Sequence, residues 1–161
     1  SPGRRHLAAD DRLTLEFAGT YRHYHACLMR TLEVGRPDPR LPALHAACTD
    51  ALLAAEAALQ PGRPVGEAFD AHARVLDAAG WRDARMNACG YSLGAVYAPN
   101  WMDWPMLYAS NPVLAAPGQV FFVHIIVFDA PTGLAMTLGR TSIIGEAGAA
   151  PLSTASLEYR V

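Results

Sequence analysis

The sequence predicts an α+β domain, an antiparallel sheet backed by two helices. Three observations carry this reading. A β-like stretch with a turn opens the chain. Two Ala-rich segments with helical spacing follow. From Cys89 onward, short apolar runs are separated by Gly- and Pro-containing turns.

The elements follow in order. Leu13, Leu15 and Phe17 alternate with polar neighbours and read as a strand, with Ala18-Gly19-Thr20 as the turn. Tyr21 to Val34 reads as the return strand, closed by Gly35-Arg36-Pro37. Leu41, Leu44, Cys48, Leu52, Ala55 and Leu59 recur at spacings of three and four, giving one helical stripe. Asp38 is its expected N-cap, Pro39 its first helical residue, and Pro61-Gly62 its stop. Val65 to Ala79 reads as a second helix with Phe69, Ala73, Leu76 and Ala79 inward, ended by Gly80. Tyr91–Val96, Gln119–Phe128, Leu134–Leu138, Thr141–Ile144 and Ala155–Tyr159 read as strands. Pro131-Thr132-Gly133 and Glu146-Ala147-Gly148 are turns, and Asn100 to Pro117 is a long loop.

The length of 161 residues suits one domain, residues 1–161. Apolar residues make up 52% of the chain, which argues for a packed core. The net charge of −2 and scattered Arg residues give no basis for nucleic-acid or anionic-membrane binding. The longest apolar run, Val120 to Phe128, is interrupted by His124 and is too short to span a bilayer. Cys27, Cys48 and Cys89 lack CxxC spacing and read as reduced thiols of a cytoplasmic protein, without a zinc site.

Several segments together resemble the creatinase/aminopeptidase P/prolidase, or pita-bread, superfamily, and within it the ectoine hydrolase branch. They are Glu16-Phe17-Ala18-Gly19 with Arg22-His23-Tyr24-His25 and Arg30-Thr31, then Pro61-Gly62 between the helices. Gly90-Tyr91-Ser92-Leu93-Gly94 with Pro99-Asn100-Trp101 follows, then Leu114 with Pro117-Gly118-Gln119-Val120-Phe121. The resemblance implies a curved antiparallel sheet with helices on its outer face and an active site in the concave face. The family domain has two related halves. The resemblance sets this chain's start inside the first half, which is therefore expected to be incomplete.

Family metallopeptidases hold two divalent ions with two Asp, one His and two Glu. The resemblance sets Glu16 or a neighbour, then Cys27, Tyr91 and His124, at four of those positions. The last carboxylate falls near Gly139-Arg140, where there is no acid. A two-metal centre is therefore not expected, and no cofactor is; a single ion held by His25, Cys27 and His124 is the minor alternative. Arg140 would put a fixed positive charge where a cation should sit.

His124, Glu16 and His25 are the candidate catalytic groups. His124 sits in an apolar strand and is either a general base or a hydrogen-bonded structural histidine. Glu16 is either a base or a solvated strand residue. Alternation puts His25 on the same strand face as Cys27, where it is either a substrate-facing donor or a surface histidine. Cys27 is a nucleophile if an imidazole lowers its pKa, and otherwise a buried inert thiol. Tyr91, Cys27, Arg140, Trp101 and Asp103 are the candidate substrate-binding residues. His45 and His72 fall in the helices and His6 near the start of the chain, and none of the three is expected to carry function. The expected activity is metal-independent hydrolysis, or the reverse ring closure, at a C–N bond of a small ectoine-like or amidine or amide compound, by a homodimer. The alternative is a catalytically inactive pita-bread subunit that binds a partner.

Overall fold

The computed structural model describes residues 4–36 and 38–159; Pro37, part of the expected strand end, lies outside them. Strands β1 (Asp11–Tyr21) and β2 (Tyr24–Val34) form the opening hairpin, in register from Asp11 opposite Val34 to Tyr21 opposite Tyr24. The turn is Arg22-His23, with φ of 47° and 72°. Two successive positive φ values give a two-residue loop whose twist matches that of the flanking strands. The turn expected at Ala18-Gly19-Thr20 is therefore strand, with those residues opposite Cys27, Ala26 and His25. Small residues do not break a strand whose register is already set over eleven cross-strand pairs.

Helices α1 (Leu41–Ala58) and α2 (Gly66–Ala78) follow. Arg40, not Asp38, occupies the N-cap of α1, and Pro42 lies in its first turn. Asp38 acts from just outside: its carbonyl accepts from the Leu41 amide at 3.0 Å and its carboxylate from the Arg40 amide at 2.9 Å. Gly80, at φ 85°, ends α2 as expected, although Ala79 is exposed rather than inward.

The remaining strands are β3 (Ala88–Leu93), β4 (Met102–Tyr108), β5 (Val120–Asp129), β6 (Leu134–Gly145) and β7 (Gly148–Pro151). The sheet order is β1-β2-β6-β5-β3-β4, with β7 paired to β6. Three expectations change here. The two short strands around Gly139-Arg140 are one, β6. The expected loop 100–117 contains β4, which ends the sheet, where Pro105 is tolerated because an edge strand need not donate on its outer side. Residues 155–159 form no strand; instead the Arg30 guanidinium donates to the carbonyls of Ala155 and Ser156 and holds the segment down.

Side-chain alternation divides the sheet into two faces. Phe121, Val123, Ile125 and Val127 of β5 join Leu134, Met136, Leu138 and Ile144 of β6 against Leu41, Leu44, Leu52 and Leu76 of the helices. Burying each of these large side chains contributes about 1.5–3 kcal/mol. The opposite face carries a second, smaller cluster of Cys27, Met29, Tyr91, Leu93 and Phe122, with Ala18, Trp101 and Met106 packed against it.

Candidate active site

Chemistry-bearing side chains converge on that second face. Cys27 comes from β2, and its backbone is fixed by Thr141, whose hydroxyl accepts from the Cys27 amide at 2.7 Å and donates to the Cys27 carbonyl at 2.9 Å. Glu16 stands opposite Met29 across the hairpin and therefore shares this face. Tyr91 arrives from β3, where Gly90 makes room: a Cβ there would lie 2.5 Å from the Phe122 carbonyl oxygen. His124 arrives from β5, its ring centroid 5.6 Å from that of Tyr91 and 5.5 Å from that of Phe122.

The electrostatics follow from burial. His124 is 9% exposed, and its Nδ1 has no hydrogen-bond partner among the described residues. Burial pushes its pKa from 6.5 down to about 4, so the imidazole is neutral at pH 7. The Cys27 thiol is pushed up to about 12 by burial and then by the negative charge of Glu16, and it stays protonated. Tyr91 is raised by burial, with smaller contributions from Cys27 and Glu16. Glu16 is solvent-accessible, yet the protein around it raises its pKa by desolvation, making its carboxylate a stronger base than an ordinary one.

His25 sits at the margin of this face. Its Nδ1–H donates to the Gly94 carbonyl at 3.1 Å, and its ring lies 4.5 Å from that of Tyr97. That bond leaves Nε2 as the basic nitrogen. Trp101 donates its indole N–H to the Tyr91 hydroxyl at 2.9 Å.

Two expected substrate-binding residues stand elsewhere. Arg140 belongs to the helix-facing set of β6. Its guanidinium binds Glu56 of α1 at 2.8 and 2.5 Å, and Ser142 donates to the same carboxylate at 2.6 Å. The positive charge assigned to the concave face is therefore absent from it, because period-two alternation places Arg140 with Leu138 and Ser142 rather than with Gly139 and Thr141. Asp103 pairs with Ser92, on the face away from Tyr91 and Leu93, and its carboxylate accepts from the Trp104 amide.

Gly139 takes the position on the site face instead. A Cβ there would lie 2.7 Å from Phe122 Cζ and 3.1 Å from His124 Cβ. The Phe122 ring thus fills the space a side chain at 139 would need. Gly139→Ala is expected to destabilise the fold by about 1–3 kcal/mol through overpacking, measured by urea unfolding, and Phe122→Leu in the same chain should recover part of it.

The donor set does not suit a pair of divalent ions. It offers one carboxylate, a protonated thiol, a phenol and an imidazole, with glycine at 139. Among the described residues, no group of three or more His, Cys, Asp or Glu side chains is arranged to hold a metal. The same residues give a pH signature. The unfolded chain protonates His124 near 6.5 and the folded chain near 4, so the unfolded state binds more protons between those values. Stability therefore falls as pH drops through that window, by roughly 3 kcal/mol in full. His45 and His72, also lowered by burial, act in the same direction, and the raised Glu16 opposes them. Urea midpoints between pH 7 and 4.5 should fall more steeply for the wild type than for His124→Phe. Equal slopes would remove the buried neutral imidazole.

Residues 1–149 match metallopeptidase family M24. Over 139 residues the chain is 28% identical to an ectoine hydrolase of Halomonas elongata, a match covering 86% of this chain and 34% of that protein. It is 27% identical over 128 residues to an uncharacterised peptidase of Bacillus subtilis, covering 79% of this chain and 35% of that one. Among solved structures, the dipeptidase PepE from Mycobacterium ulcerans superposes with a TM-score of 0.88 at 23% identity, over 98% of this chain and 42% of its own. Prolidase from Pyrococcus furiosus superposes with 0.86 at 19% identity, over 96% and 44%. These superpositions establish the pita-bread fold, and the chain spans between a third and a half of the length of these relatives. No helix among the described residues is long and apolar enough to cross a membrane.

Proposed function

We propose that this chain, which belongs to metallopeptidase family M24, contributes to hydrolysis of a C–N bond in a small cyclic amidine or amide of the ectoine type, using its own side chains rather than a metal pair. The observation that carries this reading is the grouping on one sheet face of a basic carboxylate, Glu16, with a neutral imidazole, His124. Likeness to an ectoine hydrolase supports the substrate class.

The chemistry assigns roles by pKa. Glu16 is the stronger base and takes a proton from water as its oxygen bonds to the amidine carbon. The C–N bond then breaks, and the proton passes to the departing nitrogen. With Arg140 engaged by Glu56, Glu16 is the charged side chain of this cluster, which favours a cationic amidinium over an anionic substrate. His124 can pass a proton without holding charge, and His25 Nε2 is a second base at the margin. Cys27, held protonated, serves as a donor or contact. The homodimer is the expected assembly and sedimentation reads it.

The test is incubation of the purified full chain with ectoine, followed by proton NMR, before and after dialysis against EDTA. Ring opening to the acylated diamino acid at the same rate in both supports the reading. Loss of turnover in EDTA that a divalent ion restores overturns metal independence, and a stable ectoine spectrum throughout overturns the substrate.

A further inference from the structure

The Tyr91 hydroxyl makes one hydrogen bond among the described residues, and it is one it accepts. The Trp101 indole N–H is a donor only, so its 2.9 Å contact occupies a lone pair of the phenol oxygen. The Tyr91 ring is held by Phe122 and His124 at centroid distances of 5.5 and 5.6 Å, and the residue is only 4% exposed. Its proton is left with no acceptor among the described residues. A buried hydroxyl in that condition calls for an acceptor, and on a face read as a substrate site a ligand oxygen is placed to supply it.

From this geometry we infer that Tyr91 is the fixed hydrogen-bond donor of the site, directed by Trp101 toward a carboxylate or carbonyl oxygen of the substrate. The inference rests on the reading of this face as a substrate site. Trp101 is a positioning residue: it does not touch substrate, but it fixes which way the phenol donates. Donation to the Tyr91 oxygen also polarises its O–H and strengthens the bond it gives. Tyr91 then anchors the acceptor oxygen while Glu16, on the same face, lies toward the cationic amidine. A ligand carrying both groups is recognised at two points, which distinguishes it from a simple amidine.

The experiment uses the full chain, with Tyr91→Phe and Trp101→Phe, both of which keep the aromatic bulk. Ectoine and its ring-opened acyl product, each bearing a carboxylate, are titrated by calorimetry. The Trp101 indole resonance, assigned by its loss in Trp101→Phe, is followed by NMR. Tyr91→Phe should weaken binding by about tenfold, Trp101→Phe by a few-fold, and the double variant no more than Tyr91→Phe alone. In the wild type, ligand should move the Trp101 indole proton downfield, and in Tyr91→Phe it should not. A purely packing role for Trp101 would give additive losses and an unmoved indole proton, and would overturn the inference. Hydrolysis that proceeds with Tyr91→Phe binding unchanged leaves the hydrolase reading standing and this one fallen. Binding lost in Tyr91→Phe without any turnover in the wild type does the reverse. If neither compound binds the wild type, both fall.

Discussion

Replacing Arg140 with alanine should destabilise the fold by about 3–5 kcal/mol, read as a lowered urea midpoint at pH 7. The physical reason is the partner left behind. Glu56 is buried in α1, and its carboxylate receives two bonds from Arg140 and one from Ser142. The side chains of the pair are 12% and 7% exposed, so the carboxylate depends on its protein partners far more than on solvent. Removing one member of a buried pair leaves an uncompensated charge, the source of so large an effect. Replacing both, as Arg140→Met with Glu56→Leu, removes that charge and should recover most of the loss. The alternative role, a cation in the substrate site, predicts something different: a stable Arg140→Ala chain with weakened ligand binding. That outcome would return Arg140 to the site face and undo the division of the sheet described above.

This division was partly legible in the sequence. The helical stripe from Leu41 to Leu59 and the inward Phe69 and Leu76 are recovered in the core. Apolar periodicity over many residues outweighs any local exception. Glu56 could have been flagged, since it lies four residues after Leu52 and next to Ala55 on that stripe, where an acid needs a buried partner. The resemblance puts Arg140 near the last carboxylate position, and two short strands on either side of Gly139-Arg140 leave its face unassigned. Once β6 is continuous, alternation from Leu134 through Met136 and Leu138 puts Arg140 against the helices. The turn moves for a related reason. Ala18-Gly19-Thr20 looks like a turn locally, but register over the whole hairpin decides, and Arg22-His23 carries no glycine to announce its positive φ. The Asn100–Pro117 stretch hid β4 because its prolines and tryptophans mask a short edge strand. The convergence of Glu16, Cys27, Tyr91 and His124 came from family resemblance, since no spacing within one sequence reports which strands lie side by side. The Trp101 contact to Tyr91 had no sequence signal at all.

Glu16→Gln should reduce turnover of ectoine by about 10²–10⁴-fold and weaken its binding by about tenfold, because glutamine keeps the size but neither takes the proton nor carries the charge that faces the amidinium. The pH profile is the sharper readout. Glu16 must be ionised to act, and desolvation raises its pKa above 4.5. The wild-type rate should therefore fall as pH drops through a value above that of an ordinary glutamate. The stability effect has the opposite slope: a raised folded pKa means the folded chain binds the extra proton, so this group favours folding on the acid side and disfavours it as pH rises. Activity and stability attributable to Glu16 thus move in opposite directions over the same window, a pattern that denaturation cannot imitate. Glu16→Gln should abolish both. A variant that keeps the wild-type acid limb would overturn Glu16 as the base. His124, neutral down to about pH 4, is too weakly basic to give a limb above 4.5. Glu16→Asp tests the same point by geometry. It retains a carboxylate but withdraws it by one methylene from the face shared with Tyr91, and should recover the limb with only part of the rate.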